Sequence, residues 1–376
     1  DQTLTTGIFP NGPGGTFFQI KNWMGSNQTF SYVNTYSYGT ERYFSAYANA
    51  AYTYSKKYTL SGSYRTDASN LITDDPKYRY APFWSVGLGW QIYKENFMST
   101  IKWIDRMNVR ATFGYNGNVD RSTSFRPLIA TAGSQNIYTG DYTATVSSFG
   151  NPTLRWEKTR TWNIGLDYSL FRGKLYGKID VYNKYGKDLI AQLSIPAING
   201  TTSQRLNNAE MSNRGIELEL GTHMKITRAL TWRGNLNFSY NKNTIEKLFI
   251  ATYAASTLYS GGTGAYVVGE DANSLWRFVY AGVINNQPSV YGADGTTYTF
   301  AAFTPGDGRD YMKNTGTLVA PYTLGFSSAF QYKDFNLSFM LTGKFGHVFQ
   351  RLGFNYPPTW ASRVLPNVKL SEVMNG

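Results

Sequence analysis

The residues of this chain whose types could support catalysis or metal binding are two histidines, one glycine-rich stretch and two Asp-Gly stretches. His223 and His347 lie near no partner with the spacing of a zinc motif, so each is more simply a turn or loop residue. The GGTG stretch at 261–264 lacks a following Lys-Ser or Lys-Thr and any helical pattern, which favours a flexible loop over a phosphate-binding loop. ADGTT near Asp294 and PGDGRD near Asp307 share only their Asp and Gly content with calcium loops, and turn chemistry explains them more simply.

Ser, His and Asp all occur in the chain, but their spacing assembles no catalytic triad. The sequence therefore predicts a protein that is not an enzyme, with no catalytic residues, no metal site and no cofactor, and it singles out no individual substrate-binding residue. Any function must then come from the faces and the loops of the elements that the chain forms.

Most of the chain is predicted to form long β-strands. In 161–180, apolar side chains such as Ile164 and Leu166 alternate with polar ones such as Asp167, and the pattern resumes after a turn at 171–173, which is typical of a β-hairpin. About eleven segments alternate in this way: 44–54, 58–64, 84–92, 107–115, 162–170, 175–181, 216–220, 232–240, 276–280, 322–332 and 335–345. A further strand near 296–303 is expected, because the strands before and after the interval 284–320 would otherwise run in the same direction.

The lengths of the strands and of their connections favour a membrane barrel. Ten residues at about 3.3 Å each, tilted by about 40°, rise about 25 Å, which is the height of the apolar band on an outer-membrane barrel. Strands of soluble sandwiches usually have about five or six residues. Short links (SKK, FRG, KD and a small helical turn at 93–106) alternate with long ones at 68–82, 117–158, 184–213 and 241–273, like the periplasmic turns and external loops of such barrels.

Composition agrees with a lipid-facing surface. Aromatic residues make up 16% of the 376 residues, and charged residues also only 16%, against about 25% in an average soluble protein. Tyr and Trp collect at the two interfaces of a membrane, and many lie on the predicted apolar faces: Tyr52, Tyr54, Tyr58, Trp84, Trp90, Trp162, Tyr168, Trp232, Tyr240, Tyr322 and Tyr332. The alternative is a large soluble β-sandwich or lectin-like array. In such a protein, the barrel-like strand lengths and the alternation of short and long connections would both have to occur by chance.

The remaining features of the whole chain set its context. No run of 18 or more apolar residues occurs, which excludes a transmembrane helix on length. The chain starts DQTLTTGIFP, without Met or a signal segment, and ends SEVMNG, so we expect the interior of a longer precursor. It contains no Cys, which excludes a disulfide scaffold and thiolate metal sites. Its formal charge of +12 is compatible with attraction to phosphates of nucleic acid or of lipid headgroups.

Five stretches follow one another in an order that carries a family resemblance: YFSAYANAAYTYSKKYTLSGSYRTDASN, FWSVGLGWQIYKENFM, MNVRATFGYNGN, NPTLRWEKTRTWNIGLDYSLFRGKLYGKIDVYNKYGKDLI and NNAEMSNRGIELEL. The fourth is the most specific, through NP at 151–152, LRWEK at 154–158, NIGLD at 163–167, Asn183 and KDL at 187–189. Together they resemble the SusC/RagA family of TonB-dependent outer-membrane transporters of Bacteroidetes, over roughly 42–345, with 248–311 matching least. RTDAS at 65–69 departs from the family, which more often has Arg-x-Asp-Gly-Ser, so the turn there is expected to differ in shape.

The resemblance implies an all-β protein, a transmembrane antiparallel β-barrel in the outer membrane of a Gram-negative cell. Residues 1–376 would be part of one barrel domain, holding about 11–12 strands of a 22-stranded barrel, with the plug domain and the terminal strands not present. Unpaired strand edges are not viable in lipid, so the remainder is expected in the mature protein. The implied function is import of oligosaccharides or peptides. The alternative is a structural or accessory barrel subunit of a biogenesis or secretion assembly, without transport.

The implied partners are a SusD-like surface lipoprotein that closes over the barrel as a lid, the TonB complex acting through the missing N-terminal region, outer-membrane lipid, and the glycan or peptide substrate, with no nucleic acid. The cargo would contact the polar faces of the strands, which would line the lumen. A charged residue in a lumen more often contacts the barrel wall or the plug than the cargo. The charged residues predicted there are Arg65, Asp67, Arg110, Asp167, Lys178, Asp180, Glu217, Glu219, Arg233, Arg277 and Lys344. The external loops carry rings suited to stacking on sugars or packing against a lid: Tyr138, Tyr142, Tyr253 and Tyr259.

Overall fold

The computed structural model describes residues 2–4, 19–21, 24–25, 27–29, 36–38, 40–261, 265–299 and 306–350. Ten long strands of this part form one antiparallel sheet, in which each strand pairs with the next one along the chain. They are β1 (Tyr43–Tyr54), β2 (Tyr58–Ser69), β3 (Ala81–Gln91), β4 (Ile104–Asn118), β5 (Glu157–Leu170), β6 (Leu175–Ser194), β7 (Ser203–Lys225), β8 (Leu230–Lys247), β9 (Tyr322–Tyr332) and β10 (Phe335–Phe345). Among the described residues no helix has the length and the apolar character needed to span a bilayer.

The pairing register places the apolar side chains of successive strands on one face of the sheet. Ile164 on β5 lies opposite Ala111 on β4 and Val181 on β6, and the row continues through Ile216 on β7 and Tyr240 on β8. Since successive side chains of a strand point to opposite faces, the polar residues between these positions share the other face. The predicted alternation of the two faces is therefore confirmed.

The apolar face of the sheet is largely uncovered. Leu88, Ile164 and Leu341, from the two halves of the sheet, are 58%, 54% and 62% exposed. A continuous exposed apolar surface of this extent marks contact with a membrane or a partner, and it contradicts the soluble sandwich, in which this face would be packed against a second sheet.

Aromatic side chains lie near both ends of the strands on the apolar face. At the short-turn end Trp232 stacks on Phe330 with ring centroids 6.2 Å apart, and at the other end Tyr240 stacks on Tyr322 at 4.8 Å. At about 3.3 Å per residue, Trp232 and Tyr240 are separated by roughly 26 Å along β8. With the strand tilted by about 40°, this corresponds to about 20 Å across the layer, which is close to the roughly 25 Å height of an apolar band with rings at both interfaces.

The connections alternate between short and long as predicted, with one exception. Residues 184–213, predicted as a long external loop, are mostly strand, because β6 and β7 continue through this segment as a two-stranded ribbon and leave only 195–202 to join them. The ribbon's register shifts between Gly186 and Leu189. The prediction failed because this part of the ribbon lies beyond the lipid-facing rows, where regular alternation is not required.

The described part of the main sheet has ten strands rather than eleven or twelve. The predicted strand around Trp276 is Ser274–Arg277, which pairs with Lys313–Thr317 outside the main sheet. No further barrel strand near 296–303 is needed, because β9 pairs directly and antiparallel with β8. Thr297–Thr299 instead joins a small sheet, and 300–303 lie outside the described residues.

The long connections carry the remaining elements of the described residues. Leu128–Gln135 and Tyr142–Ser148 form a hairpin between β4 and β5, and Val279–Ile284, Gln287–Tyr291 and Thr297–Thr299 form a three-stranded sheet between β8 and β9. Two α-helices are short, α1 (Pro76–Arg79) and α2 (Ala255–Ser260). Single turns of 3₁₀ helix are Ile92–Lys94, Asn96–Met98, Ala197–Asn199 and Gly308–Asp310, and short strand pairs are Gln2–Leu4 with Tyr36–Tyr38 and Gln19–Lys21 with Asn27–Thr29.

Buried apolar side chains of the described residues gather mainly at the long-loop end of the strands. The rim cluster consists of Ile72, Ala81, Phe83, Leu154 and Trp156, and joins the loops after β2 and β4. The loop cluster consists of Tyr253, Leu258, Ala265, Val267, Trp276 and Met312, and holds the connection between β8 and β9 together. The external loops are thus packed structures with cores of their own.

Candidate functional site

Three charged residues on the polar face form a connected network across neighbouring strands. The guanidinium of Arg110 on β4 donates from Nε to Oδ2 of Asp167 on β5 at 2.8 Å and from Nη2 to Oδ1 at 3.0 Å. The same Nη2 donates to Oδ1 of Asp180 on β6 at 3.2 Å. Fork geometry of this kind fixes both partners and is stronger than a neutral hydrogen bond. The network therefore holds three side chains of β4, β5 and β6 together on the polar face of the sheet.

Gly165 gives this network the room it needs. A Cβ at this position would lie 2.6 Å from Oδ1 of Asp180 and 2.7 Å from Nη2 of Arg110. Because real side chains do not tolerate such distances, a residue other than glycine would push the guanidinium or the carboxylate aside.

Beside the network, the polar face forms a shallow depression of about 570 Å³ between β6 and β10. Nζ of Lys178 lies 3.2 Å from Oε2 of Glu219 at its edge. Its polar lining residues are Lys178, Glu217, Glu219, Asn237, Ser239, Thr323, Thr342 and Lys344. Ammonium, carboxylate, amide and hydroxyl groups together offer both donors and acceptors, which suits polar solutes with many hydroxyl or amide groups.

The structure places ten of the eleven predicted lumenal charges on the polar face of the main sheet, and Arg277 elsewhere. Arg277 belongs to the external strand Ser274–Arg277, where its guanidinium lies 4.5 Å from the ring centroid of Tyr259. The assignment of Arg277 to the lumen was wrong because its strand pairs with Lys313–Thr317 and not with the barrel wall. Arg65 and Asp67, at the long-loop end of β2, are paired with each other at 2.6 Å.

At the external rim, two buried asparagines join segments that are far apart in sequence. Asn151 is fully buried, and its Nδ2 donates to Oδ1 of Asn207 at 3.1 Å. Nδ2 of Asn207 donates to the carbonyls of Arg155 and Asp188 at 2.9 and 2.8 Å, and its Oδ1 accepts from the amide of Arg155 at 3.1 Å. The Asn207 amide thus satisfies backbone groups of the loop after β4 and of the bulge in β6.

The charged residues of the 154–158 run complete the rim. Nη2 of Arg155 donates to Oδ1 of Asp188 at 2.7 Å, and Asp188 has a left-handed backbone with φ of 57°. Oε1 of Glu157 accepts from the amide of Ile190 at 2.9 Å, directly after the register shift, and Oε2 accepts from Nδ2 of Asn118 at 3.0 Å. These side chains supply hydrogen bonds where the regular ladder is interrupted.

The four loop tyrosines divide into exposed and buried rings. Tyr138, Tyr142 and Tyr259 are 90%, 66% and 47% exposed and remain available for contacts. Tyr253 is only 3% exposed, lies in the loop cluster and donates its hydroxyl to the carbonyl of Tyr266 at 2.6 Å, so its predicted availability for stacking on sugars or for packing against a lid is wrong. Burial raises the pKa of the Tyr253 phenol.

The two Asp-Gly stretches are turns, as predicted. Oδ1 of Asp294 accepts from the amide of Thr296 at 3.0 Å and from its hydroxyl at 2.7 Å. Oδ1 of Asp307 accepts from the amide of Arg309 at 2.9 Å. Burial alone would raise the pKa of Asp307, but hydrogen bonds from Arg309 and from the amide of Tyr253 outweigh it and lower that pKa.

The other sequence candidates lie apart from the polar depression and the rim. His223 is an exposed residue near the short-turn end of β7, and His347 follows β10. Of the GGTG stretch only Gly261, which ends α2, is among the described residues. In the described ranges no group of three His, Asp or Glu side chains could hold a metal ion.

The sequence identified the segments that form the rim but not the contacts between them. The fourth and fifth of the five signature stretches contain Asn151 and Asn207 respectively, and the structure shows that these stretches meet through that pair. Asn207, a polar residue within β7, was the signal in the sequence that could have pointed to the rim. A single sequence does not show that it contacts Asn151, which is 56 residues away.

Comparison with known proteins identifies the fold. The family model described as "TonB dependent receptor-like, beta-barrel" matches residues 2–356. The TonB-dependent receptor P26 of Formosa agariphila is 28% identical over 346 residues, which cover 86% of this chain and 34% of that protein. The TonB-dependent receptor SusC of Bacteroides thetaiotaomicron is 28% identical over 310 residues, covering 77% of this chain and 30% of that protein.

A solved structure supports the same relationship. The RagAB peptide transporter matches with a TM-score of 0.67 and 25% identity, over 81% of this chain and 34% of that chain. The chain thus spans about a third of the length of the relatives that it matches. The all-β barrel fold, the resemblance to SusC and RagA, and the location in the outer membrane are confirmed. The chain belongs to the TonB-dependent receptor-like β-barrel family of outer-membrane proteins.

Proposed function

We propose that the protein containing this barrel imports oligosaccharides or peptides across the outer membrane, driven by the TonB complex. The observation that carries the proposal is the depression on the lumenal face, where Lys178, Glu219 and Lys344 stand among amide and hydroxyl groups. A wall that offers donors and acceptors of both charge signs suits hydroxyl-rich sugars and peptide backbones better than it suits apolar solutes. The similarity to the RagAB peptide transporter supports peptides as cargo, and the similarity to the TonB-dependent receptor SusC supports the dependence on TonB.

In the proposed protein, residues 1–376 contribute one part of a single barrel domain. A barrel of the width found among large outer-membrane transporters requires a plug to keep the lumen closed. We place that plug, and the segment that contacts TonB, in parts of the protein other than this chain. The fixed Arg110, Asp167 and Asp180 network would then serve as a contact surface for the plug.

The proposed external partner is a SusD-like surface lipoprotein acting as a lid. The packed rim supports this role, because Asn151 and Asn207 tie the loop after β4 to the β6–β7 ribbon and create a firm edge at the mouth. The exposed rings of Tyr138 and Tyr142 lie in this loop after β4, and that of Tyr259 lies in the connection between β8 and β9. Amphipathic rings on firm supports are typical of protein interfaces.

Deletion and complementation test the proposal. Cells lacking the gene should lose growth on one oligosaccharide or peptide source and recover it when the full-length gene is restored. Uptake of that labelled solute should stop when a protonophore collapses the proton gradient, while binding to the cell surface persists. Tagged full-length protein should copurify with a surface lipoprotein.

The alternative, a structural subunit without transport, gives a different result. Deletion would then leave growth on every oligosaccharide and peptide source unchanged, and would lower the amounts of other outer-membrane proteins. Copurification with biogenesis or secretion components, with no lipoprotein and no solute, would also contradict the import proposal.

A further inference from the structure

Basic residues are concentrated at the short-turn end of the barrel. The five short links are 55–57, 92–103, 171–174, 226–229 and 333–334, and they contain eight basic and two acidic residues, a net charge of +6 within a chain of +12. The long connections, 70–80, 119–156, 195–202 and 248–321, contain eight basic and nine acidic residues. Half of the net charge therefore lies in the links at one end of the sheet, and none of it lies in the long connections at the other end.

Most of these cations are not used inside the protein. Lys57 pairs with Glu95 at 3.0 Å, and Nζ of Lys94 donates to the carbonyl of Lys56 at 2.9 Å. Six others are exposed and make no ion pair with any residue in the described ranges: Lys56, Lys102, Arg172, Lys174, Arg228 and Lys333. A cluster of like charges that has no internal partner creates a positive potential, which attracts anions to this end of the molecule.

Two exposed rings accompany two of these cations. Trp103 and Phe171 stack with centroids 5.7 Å apart, and each is 50% exposed. The amide of Phe171 donates to the carbonyl of Trp103 at 2.7 Å, so the links 92–103 and 171–174 are held together. Lys102 and Arg172 directly adjoin these two rings in sequence. Rings beside cations are the combination that settles at a headgroup interface.

The turn itself is built against the backbone preferences of its residues. Phe171 and Arg172 have φ of 56° and 59°, in the left-handed region that side chains other than Gly, Asn and Asp rarely adopt. The external hairpin between Ile284 and Gln287 uses Asn285 and Asn286 at the corresponding angles, 50° and 61°. Turn stability alone would favour Asn or Gly at positions 171 and 172. We therefore infer that the Phe171 ring and the Arg172 guanidinium have a role other than stabilising the turn.

We propose that the short-turn end binds the phosphates of anionic phospholipid headgroups in the periplasmic leaflet of the outer membrane. Lys102, Arg172 and Lys174 contact the phosphates, and the rings of Trp103 and Phe171 sit in the interfacial layer beside them. Short turns of outer-membrane barrels face the periplasm, and basic clusters next to a membrane-spanning segment attract anionic lipid. This inference concerns anchorage and goes beyond the proposed import function.

Titration of the full-length protein in detergent with phosphatidylglycerol or phosphatidylcholine tests the proposal, with bound lipids counted by native mass spectrometry. We expect a preference for phosphatidylglycerol that falls about tenfold or more in the triple variant Lys102→Gln, Arg172→Gln, Lys174→Gln. A matched triple variant at the long-loop end, Lys77→Gln, Lys187→Gln, Lys313→Gln, should keep the preference. Equal loss in both variants, or none in the first, would overturn the proposal.

A second variant separates lipid binding from folding. Phe171→Asn with Arg172→Gly relieves the left-handed positions, so its thermal unfolding temperature in phosphatidylcholine nanodiscs should be equal to or above that of the wild type. The same variant should lose most of the preference for phosphatidylglycerol. Retention of that preference would contradict the proposal, as would competition by free glycerol phosphate at the concentrations at which the lipid binds.

Discussion

The side chain of Asn151 donates to that of Asn207 at 3.1 Å, and both residues are buried at the external rim. This contact, together with the hydrogen bonds of Arg155 to Asn207 and Asp188, attaches the loop after β4 to the ribbon formed by β6 and β7. Neither asparagine faces the lumen depression or the lipid, and their role is to hold the mouth of the barrel in one arrangement.

Replacing Asn207 with Ala should destabilise the rim by about 1–3 kcal/mol, because the buried amide of Asn151 and the carbonyls of Arg155 and Asp188 lose their partners. Hydrogen exchange of the full-length protein should show faster exchange in 119–156 with little change in β1 and β2. The matched control is Asn199→Ala in the exposed link 195–202, which should leave exchange in 119–156 unchanged. Equal acceleration in both variants would show that Asn207 has no special role.

A charge on the lipid-facing side should be costly. Leu166→Arg should make folding into lipid vesicles less favourable by about 2–4 kcal/mol if position 166 lies near the bilayer midplane. The neighbouring Asp167→Asn should be mild, because Arg110 keeps its contact with Asp180. Urea titrations of both variants in vesicles measure the difference. Equal tolerance of the two changes would mean that the assigned faces are reversed.

Gly165→Ala should destabilise the barrel wall by about 1 kcal/mol, because the added Cβ would displace Oδ1 of Asp180 and Nη2 of Arg110 and so weaken their ion pair. Gly89 lies opposite Arg110 on β3 and is the matched control, since a Cβ there would be 3.6 Å from Cβ of Thr59. Gly89→Ala should be neutral or slightly stabilising. Thermal unfolding of the two variants should therefore move in different directions.

The link between β3 and β4 should make stability depend on pH. Hydrogen bonds from the Tyr58 hydroxyl, the Lys57 ammonium and the Trp90 indole lower the pKa of Glu95 from 4.5 to about 2. Because the folded-state pKa is lowered, the stabilisation is fully present above pH 4.5 and is lost as the pH falls from there to about 2.

Thermal unfolding midpoints measured between pH 4.5 and about 2 should fall less steeply with falling pH in Glu95→Gln than in the wild type. Asp334→Asn is the control, since Asp334 is an acidic turn residue that makes no ion pair within the described ranges. An unchanged slope in Glu95→Gln would show that the carboxylate contributes nothing to acid stability.

The lipid-facing part of the fold could be predicted from the sequence because lipid imposes a strict pattern. Hydrocarbon on one side and water on the other require alternation at each position of β5, and a shift of one residue would reverse every side chain. The paired rows through Ile164 and Leu166 follow that pattern. The short links were found for the same reason, since each one separates two alternating runs.

Outside the lipid the pattern gives less information. Trp276 and Phe278 alternate with Arg277 as a barrel strand would, yet Ser274–Arg277 pairs with Lys313–Thr317, and a short alternating run does not determine its partner. The β6–β7 ribbon was taken for a loop because its outer part packs against 119–156 and contains buried Asn207 among apolar residues. The Asn151 and Asn207 contact required three-dimensional information, since nothing local to either residue specifies the other.

The ribbon has a mechanical consequence for the mouth of the barrel. Two strands alone bend easily, whereas Asn207 fastens the ribbon to a neighbouring loop partway along its length. Bending is thereby restricted to the outermost hairpin around 195–202. We therefore expect this edge of the sheet to deform first at the hairpin around 195–202 and least where Asn207 holds the ribbon.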